Sequence, residues 1–192
     1  MGQWVGYHQM VGDRANSMVV GTLNDFVTRR EACLDLGAGN LRDSKFLLWQ
    51  GFSRVVAVDS SEDSLPFATE GIELHIMPIE QFVPEKDAFD FAFSANTFFF
   101  LSPTQIANAL QNVLNGLRAG GIMAFNVLGK EDGWVVMGEQ VSSFTEESLK
   151  ALCVGFEVLG VGEGRNQAKH LNSFGILETK FWHTISIVLR KP

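Results

Sequence analysis

Two aspartates, Asp35 and Asp59, lie on either side of a glycine-containing segment typical of a nucleotide-binding turn. Residues 34–40, with the sequence LDLGAGN, combine a short apolar strand with a Gly-x-Gly turn. Asp59 ends the next apolar segment, 54–59, at the distance where a carboxylate binds both hydroxyls of a ribose. The spacing therefore predicts a site for a ligand that contains a ribose.

The charge of Asp35 narrows the class of ligand. The residue is predicted at the mouth of the turn, where the pyrophosphate of a dinucleotide would approach. A carboxylate there repels a pyrophosphate and attracts an ammonium or a sulfonium group. S-adenosylmethionine (SAM) carries both of these cations and a ribose. We therefore expect SAM as the ligand, with Asp35 near its cationic methionine end.

Composition excludes several other classes of function. The net charge of −7 and the pI of about 5.1 argue against a nucleic-acid partner. No segment approaches the roughly 18 continuous apolar residues of a membrane span, and the first residues lack the features of a signal peptide. The four histidines show no ligand spacing, so no metal site is predicted. We expect a cytoplasmic protein, monomer or homodimer, with one domain over 1–192.

The elements that must position the two aspartates alternate along the chain. Strands are predicted at 32–36, 54–59, 73–77, 89–94 and 121–127, and helices at 15–29, 41–50, in the sixties, at 103–118 and at 145–153. A β-rich segment, 182–189, follows a glycine-containing stretch at 160–180. The pattern predicts an α/β, Rossmann-like fold. Its seven-stranded, mostly parallel sheet has helices on both faces and an antiparallel C-terminal edge hairpin.

The order of these motifs resembles the class I SAM-dependent methyltransferases from about residue 30 to the end of the chain. The matching segments are 34–39, 58–60, 89–94 and 117–122. Within the class, segments 39–44, 144–149 and 182–191 look most like the small TehB-type methyltransferases of tellurite resistance. The resemblance implies in-line transfer of a methyl group from SAM to a small-molecule acceptor, with S-adenosylhomocysteine (SAH) as product.

The resemblance also implies a set of cofactor-binding residues. They are Asp35, Gly37, Ala38, Gly39, Asp59, Ser60, Ile79, Glu80, Ser94, Ala95 and Arg14. Leu41 stands where a third glycine is common, so the turn must approach the ligand mainly through residues 37–39. Pro78 replaces an acid that often follows the third strand, which leaves adenine recognition to the backbone near Ile79 and to Glu80. An exposed surface arginine is an equally good interpretation of Arg14.

Two late segments, 129–143 and 160–180, are predicted as substrate lid loops, and 1–30 as an N-terminal helical segment. His170 is the candidate catalytic residue, needed as a base only if the acceptor must lose a proton. TehB-like proteins carry two arginines after this histidine, but Leu171 follows it here, which argues against tellurite as a substrate.

Two alternatives stay open. They are a non-catalytic SAM-binding or sensing protein, and an NAD(P)-dependent reductase with an altered glycine fingerprint, which Arg42 at its third-glycine position disfavours.

Overall fold

The central feature of the fold is one twisted sheet, seen in a computed structural model that describes residues 4–171 and 176–192. Its strands are β1 (Ala32–Leu36), β2 (Arg54–Asp59), β3 (Ile72–Ile76), β4 (Phe89–Ser94), β5 (Leu117–Gly129), β6 (Ser143–Phe144), β7 (Glu157–Leu171) and β8 (Leu177–Arg190). The order is β3-β2-β1-β4-β5-β8-β7, and the short β6 pairs with β5. Strands β1 to β5 are parallel, whereas β8 is antiparallel to both β5 and β7. This arrangement confirms the predicted Rossmann-like sheet with its antiparallel C-terminal hairpin.

Helices cover both faces of the sheet. They are α1 (Val5–Val11), α2 (Ser17–Phe26), α3 (Arg42–Trp49), α4 (Pro103–Gly116), α5 (Gly133–Val136) and α6 (Glu146–Leu152). Side chains of β1 alternate between two apolar cores, because successive residues of a strand point to opposite faces. Leu34 and Leu36 pack in the core under α4 and α6, and Cys33 packs in the core under α2 and α3. This alternation also decides where Asp35 points.

The capping signals in the sequence correctly predict where α4 begins. The Ser102 hydroxyl accepts a hydrogen bond from the Gln105 N–H at 3.3 Å, and the Gln105 side chain accepts one from the Ser102 N–H at 3.0 Å. This reciprocal pair satisfies two backbone donors at the helix start. None of the helices in the described ranges has the length and apolar character required to cross a bilayer.

The prediction of a loop at 160–180 is wrong. The segment belongs to a long hairpin, in which β7 and β8 pair from Glu157 opposite Arg190 to Leu171 opposite Leu177. Glycines in this stretch suggested a loop, but pairing with the β-rich strand β8 overrides that local preference. Residues 172–175 of the stretch and residues 1–3 of the N-terminal segment lie outside the described residues. Whether the stretch acts as a lid is a separate question that stays a prediction.

Candidate active site

A cavity of about 320 Å³ opens where β1, β2 and β4 end. In open α/β sheets, ligands bind beyond the carboxyl ends of the strands, and small-molecule sites have volumes of a few hundred cubic ångströms. The lining residues are Trp4, Tyr7, His8, Gly37, Gly39, Asp59, Ser60, Pro78, Ile79, Glu80, Ala95, Asn96, Thr97, Phe100 and Leu101. Seven of the eleven residues predicted to bind cofactor are among them: Gly37, Gly39, Asp59, Ser60, Ile79, Glu80 and Ala95.

The glycine turn after β1 is held by backbone hydrogen bonds to the neighbouring strand. Gly37 and Ala38 both donate their N–H groups to the Val58 carbonyl, at 2.8 and 3.1 Å. Gly37 has φ of +84°, and a Cβ atom at this position would collide with the side chain of Thr97. Glycine is therefore required here both by the backbone conformation and by the space on the cavity side.

Asp59 is fixed by the backbone on both sides of its carboxylate. One oxygen accepts a hydrogen bond from the Gly39 N–H at 2.7 Å, and the other accepts one from the Ser61 N–H at 2.8 Å. Each carboxylate oxygen can accept a further hydrogen bond. Asp59 therefore lines the cavity in a fixed orientation with acceptor capacity for a pair of hydroxyls.

A short 3-10 helix, Ile79–Gln81, forms the wall beyond β3. The Glu80 carboxylate accepts a hydrogen bond from the Gln105 side chain at 2.7 Å, and the Glu80 carbonyl accepts one from Asn112 at 3.3 Å. Both donors belong to α4. The predicted adenine-binding segment is therefore anchored to the rigid layer of helices.

Asp35 lies outside the cavity lining, because alternation along β1 turns its side chain toward α3. It is buried and accepts a hydrogen bond from the Ser44 hydroxyl at 2.6 Å. Burial raises the pKa of Asp35 well above its usual value, and the nearby Asp43 carboxylate raises it further, whereas the bond from Ser44 lowers it. The structure thus places Asp35 behind the glycine turn rather than at its mouth.

Three other residues of the predicted set also fall outside the lining. Ala38 is buried in the turn, and the hydroxyl of the buried Ser94 donates to the Leu36 carbonyl at 2.9 Å. Both stabilise the ends of the strands from behind the cavity. Arg14 is exposed on the connection between α1 and α2.

Helix α1 supplies a wall of the cavity that the sequence interpretation missed. Trp4, Tyr7 and His8 line the cavity, and the helix is held by Asn40 of the glycine turn. The Asn40 side chain donates to the His8 carbonyl at 3.3 Å and to the Gly12 carbonyl at 3.0 Å. Aromatic residues at positions 4, 7 and 8 were a usable sequence signal, but nothing local indicates that they return to the glycine turn.

Burial shifts the pKa of two side chains that α1 contributes to the cavity. It lowers the pKa of His8, although the nearby Asp59 and Asp63 carboxylates raise it. It raises the pKa of Tyr7, an effect that the charge of Arg42 opposes. His8 is therefore a neutral imidazole at neutral pH, and Tyr7 keeps its phenolic proton.

His170, the predicted catalytic residue, is buried in the hairpin and does not line the cavity. Its ring contacts that of Trp134 edge-on, with centroids 5.4 Å apart. The ring of Trp134 lies 6.0 Å from that of Phe100, which does line the cavity. His170 is thus connected to the cavity through two aromatic rings. In the described residues, no group of three or more acidic, histidine or cysteine side chains is placed to hold a metal ion.

Sequence comparison identifies the domain to which this cavity belongs. The family described as "methyltransferase domain" matches residues 33–121, which include the glycine turn, Asp59 and the 3-10 helix. Residues 33–121 therefore form a methyltransferase domain. The methyltransferase therefore takes SAM as its methyl donor, and the comparison leaves the acceptor unspecified. No curated protein matches the chain.

Solved structures of methyltransferases share the fold over nearly the whole chain. TehB from Haemophilus influenzae is 19% identical with a TM-score of 0.74, over 99% of this chain and 67% of that chain. A SAM-dependent methyltransferase from Anabaena variabilis is 19% identical with a TM-score of 0.68, over 99% and 93%. A putative methyltransferase from Haloferax volcanii, in complex with the Trm112 activator, is 14% identical with a TM-score of 0.75, over 98% and 96%. At these identities the likeness shows the fold alone.

Proposed function

We propose that the methyltransferase modifies a small molecule, bound together with SAM in the cavity beyond β1, β2 and β4. The observation that carries this proposal is the Asp59 carboxylate, held by two backbone N–H groups at the wall of the cavity. A cavity of about 320 Å³ suits a small ligand rather than a protein surface.

The residues present fit the cofactor. Gly37 has no side chain to collide with Thr97, so the turn and Thr97 can line the cavity side by side. Asp59 accepts hydrogen bonds from the two ribose hydroxyls, and Ser60 lies beside it. Ile79 and Glu80 border the adenine of SAM, and the backbone of Ala95 contacts its methionine end. The roles of these residues follow from their positions around one cavity.

The protein contributes mainly position to the reaction. When bound, SAM supplies a methyl group already activated on a sulfonium. The glycine turn and Asp59 fix the donor, and Trp4 and Phe100, whose rings are in contact, line the same cavity. Holding donor and acceptor in line can supply a large part of the rate of a displacement. Helix α1 contributes Trp4, Tyr7 and His8 to the wall of the cavity.

Asp35, Ser94 and Ala38 act on the cofactor indirectly, through the turn that they stabilise. Any effect of His170 on turnover passes through Trp134 to Phe100, because His170 itself does not reach the cavity. These positions make both His170 and Asp35 supporting residues in our proposal.

Calorimetric titration with SAM, SAH and NADH tests the proposal against its alternatives. We expect binding of SAM and SAH and no binding of NADH, because a pyrophosphate is disfavoured by the carboxylates of Asp59 and Glu80 and by a lining that, in the described part of the chain, contains no arginine. Tight binding of NADH would instead support a reductase. SAM binding without SAH formation from any acceptor would support a sensor.

A further inference from the structure

The charged side chains that line the cavity are acidic. His8 also lines it, as a neutral imidazole. The acidic side chains are Asp59 and Glu80, and no lysine or arginine is present in the lining formed by the described residues. Residues 1–3 and 172–175, outside those ranges, include no lysine or arginine in the sequence. An anionic acceptor taken from water into such a cavity would lose its hydration without gaining a cationic side chain of the protein as a partner. The lining therefore selects against anions.

Lys180 is a buried cation connected to this cavity, but its charge is already neutralised. Its ammonium forms an ion pair with the fully buried Asp132 carboxylate. It also lies 3.9 and 3.8 Å from the ring centroids of Trp134 and Trp182. Moving it toward an anion near Phe100 would leave Asp132 as an uncompensated buried charge, which costs several kcal/mol.

Arg42, at the start of α3, is committed in the same way. It pairs with the Asp43 carboxylate at 3.5 Å and donates to the Val11 carbonyl at 3.3 Å. These contacts tie α1 to α3 and keep the guanidinium out of the lining. The acceptor must therefore be recognised without help from a cationic side chain.

Aromatic rings, rather than cations, line part of the cavity. The rings of Trp4 and Phe100 meet edge to face, with centroids 5.4 Å apart, and Tyr7 lies 6.0 Å from Trp4. Such rings bind flat apolar groups and stabilise positive charge held over their faces. This wall is suited to an aromatic acceptor on which positive charge develops.

Two titratable side chains of α1, Tyr7 and His8, lie at or beside this aromatic wall. Burial raises the pKa of Tyr7, so the phenol does not accept a proton at neutral pH. His8 can accept a proton, but its ring packs on the glycine turn, where a Cβ atom at Gly39 would lie 3.2 Å from His8 Nε2. An acceptor that has no proton to lose needs neither group.

We propose that the acceptor is an uncharged aromatic nitrogen base of the pyridine type, whose ring packs against Trp4 and Phe100. This inference depends on the function proposed above. The nitrogen lone pair forms a bond to the methyl carbon while the carbon–sulfur bond breaks, and the sulfur keeps that electron pair. Positive charge moves from sulfur to nitrogen, and no proton is released. The acidic and aromatic lining stabilises this charge throughout the transfer, whereas it would not stabilise an anionic nucleophile.

The test measures SAH formation from SAM with three probes: isoquinoline, naphthalene-2-thiolate and tellurite. Isoquinoline carries an uncharged nitrogen, and the thiolate has the same two-ring size but a negative charge. We expect kcat/KM for isoquinoline to exceed that for the thiolate at least about tenfold, although thiolates are intrinsically the better nucleophiles, and tellurite to be inert. Preference for the thiolate or for tellurite, or SAM binding without turnover of isoquinoline, overturns the inference and leaves the cofactor site standing. Failure to bind SAM overturns the proposed function itself.

Variants of the aromatic wall identify the site of this selectivity. Phe100→Leu and Trp4→Leu should lower kcat/KM for isoquinoline at least about fivefold, while the dissociation constant of SAM stays within about threefold. Trp49→Leu is the matched control, because Trp49 is an exposed aromatic on α3 that does not line the cavity. Unchanged isoquinoline turnover in folded variants of both wall residues would overturn the assignment of this wall as the acceptor site.

Discussion

Replacing Asp59 by alanine is the most informative single change in the cofactor site. The carboxylate is held by the Gly39 and Ser61 N–H groups at 2.7 and 2.8 Å, so its orientation is set before the ligand arrives. Its removal leaves two ribose hydroxyls without their acceptor. Losing hydrogen bonds to a charged group costs about 1.5–3 kcal/mol, which corresponds to a roughly 10- to 150-fold weaker dissociation constant for SAM.

Isothermal titration calorimetry measures this loss, and the natural control is Glu73→Ala. Glu73 carries the same charge on the neighbouring strand β3, where it pairs with Arg54 and His75 outside the cavity lining. An SAH analogue without ribose hydroxyls gives a second readout, because it should bind wild type and Asp59→Ala with similar affinity. A dissociation constant for SAM that is unchanged in folded Asp59→Ala would refute the ribose assignment.

Three further variants test the turn, the hairpin and the buried acid. Gly37→Ala should abolish measurable SAM binding by calorimetry, whereas Gly12→Ala, at φ +60° and ψ −158° with open space, should cost about 1–3 kcal/mol of stability. Lys180→Met should lower the unfolding free energy in urea by about 3 kcal/mol, against under ~1 kcal/mol for Lys150→Met in an exposed pair. For Asp35, the raised folded-state pKa means that the folded protein holds its proton above pH ~4, where the unfolded chain releases it. Wild-type stability should therefore fall relative to Asp35→Asn as pH rises from about 4, and parallel pH profiles would contradict the burial of this acid.

Local sequence signals identified the part of the site that lies in short, regular segments. The turn at Gly37 and Gly39 and the carboxylate of Asp59 follow directly from strand and turn patterns, since each is fixed by residues next to it in the chain. The capping box that begins α4 is similarly local. The mostly parallel sheet followed from the alternation of strands and helices, and the edge hairpin followed from the β-rich segment at 182–189.

Long-range contacts account for what the sequence did not reveal. Asp35 was predicted at the mouth of the turn, but the two-residue period of β1 directs it toward Ser44 on α3. The approach of Trp4 to Phe100 joins residues about a hundred positions apart, and no local pattern encodes it. The glycine-containing stretch before His170 is a strand because it pairs with β8. Its cross-strand contacts outweigh the weak strand preference of glycine.

A crystal structure of the protein with SAH would show whether this cavity holds the cofactor and whether Asp59 binds its ribose. We expect the ligand in the cavity beyond β1, β2 and β4. Both ribose hydroxyls should lie within about 3.2 Å of the Asp59 carboxylate oxygens, and the adenine should lie against Ile79. The thioether sulfur should face the side of the cavity formed by Trp4 and Phe100. SAH bound elsewhere, or bound here with its ribose turned away from Asp59, would contradict the assignment of this cavity and of Asp59 to the cofactor.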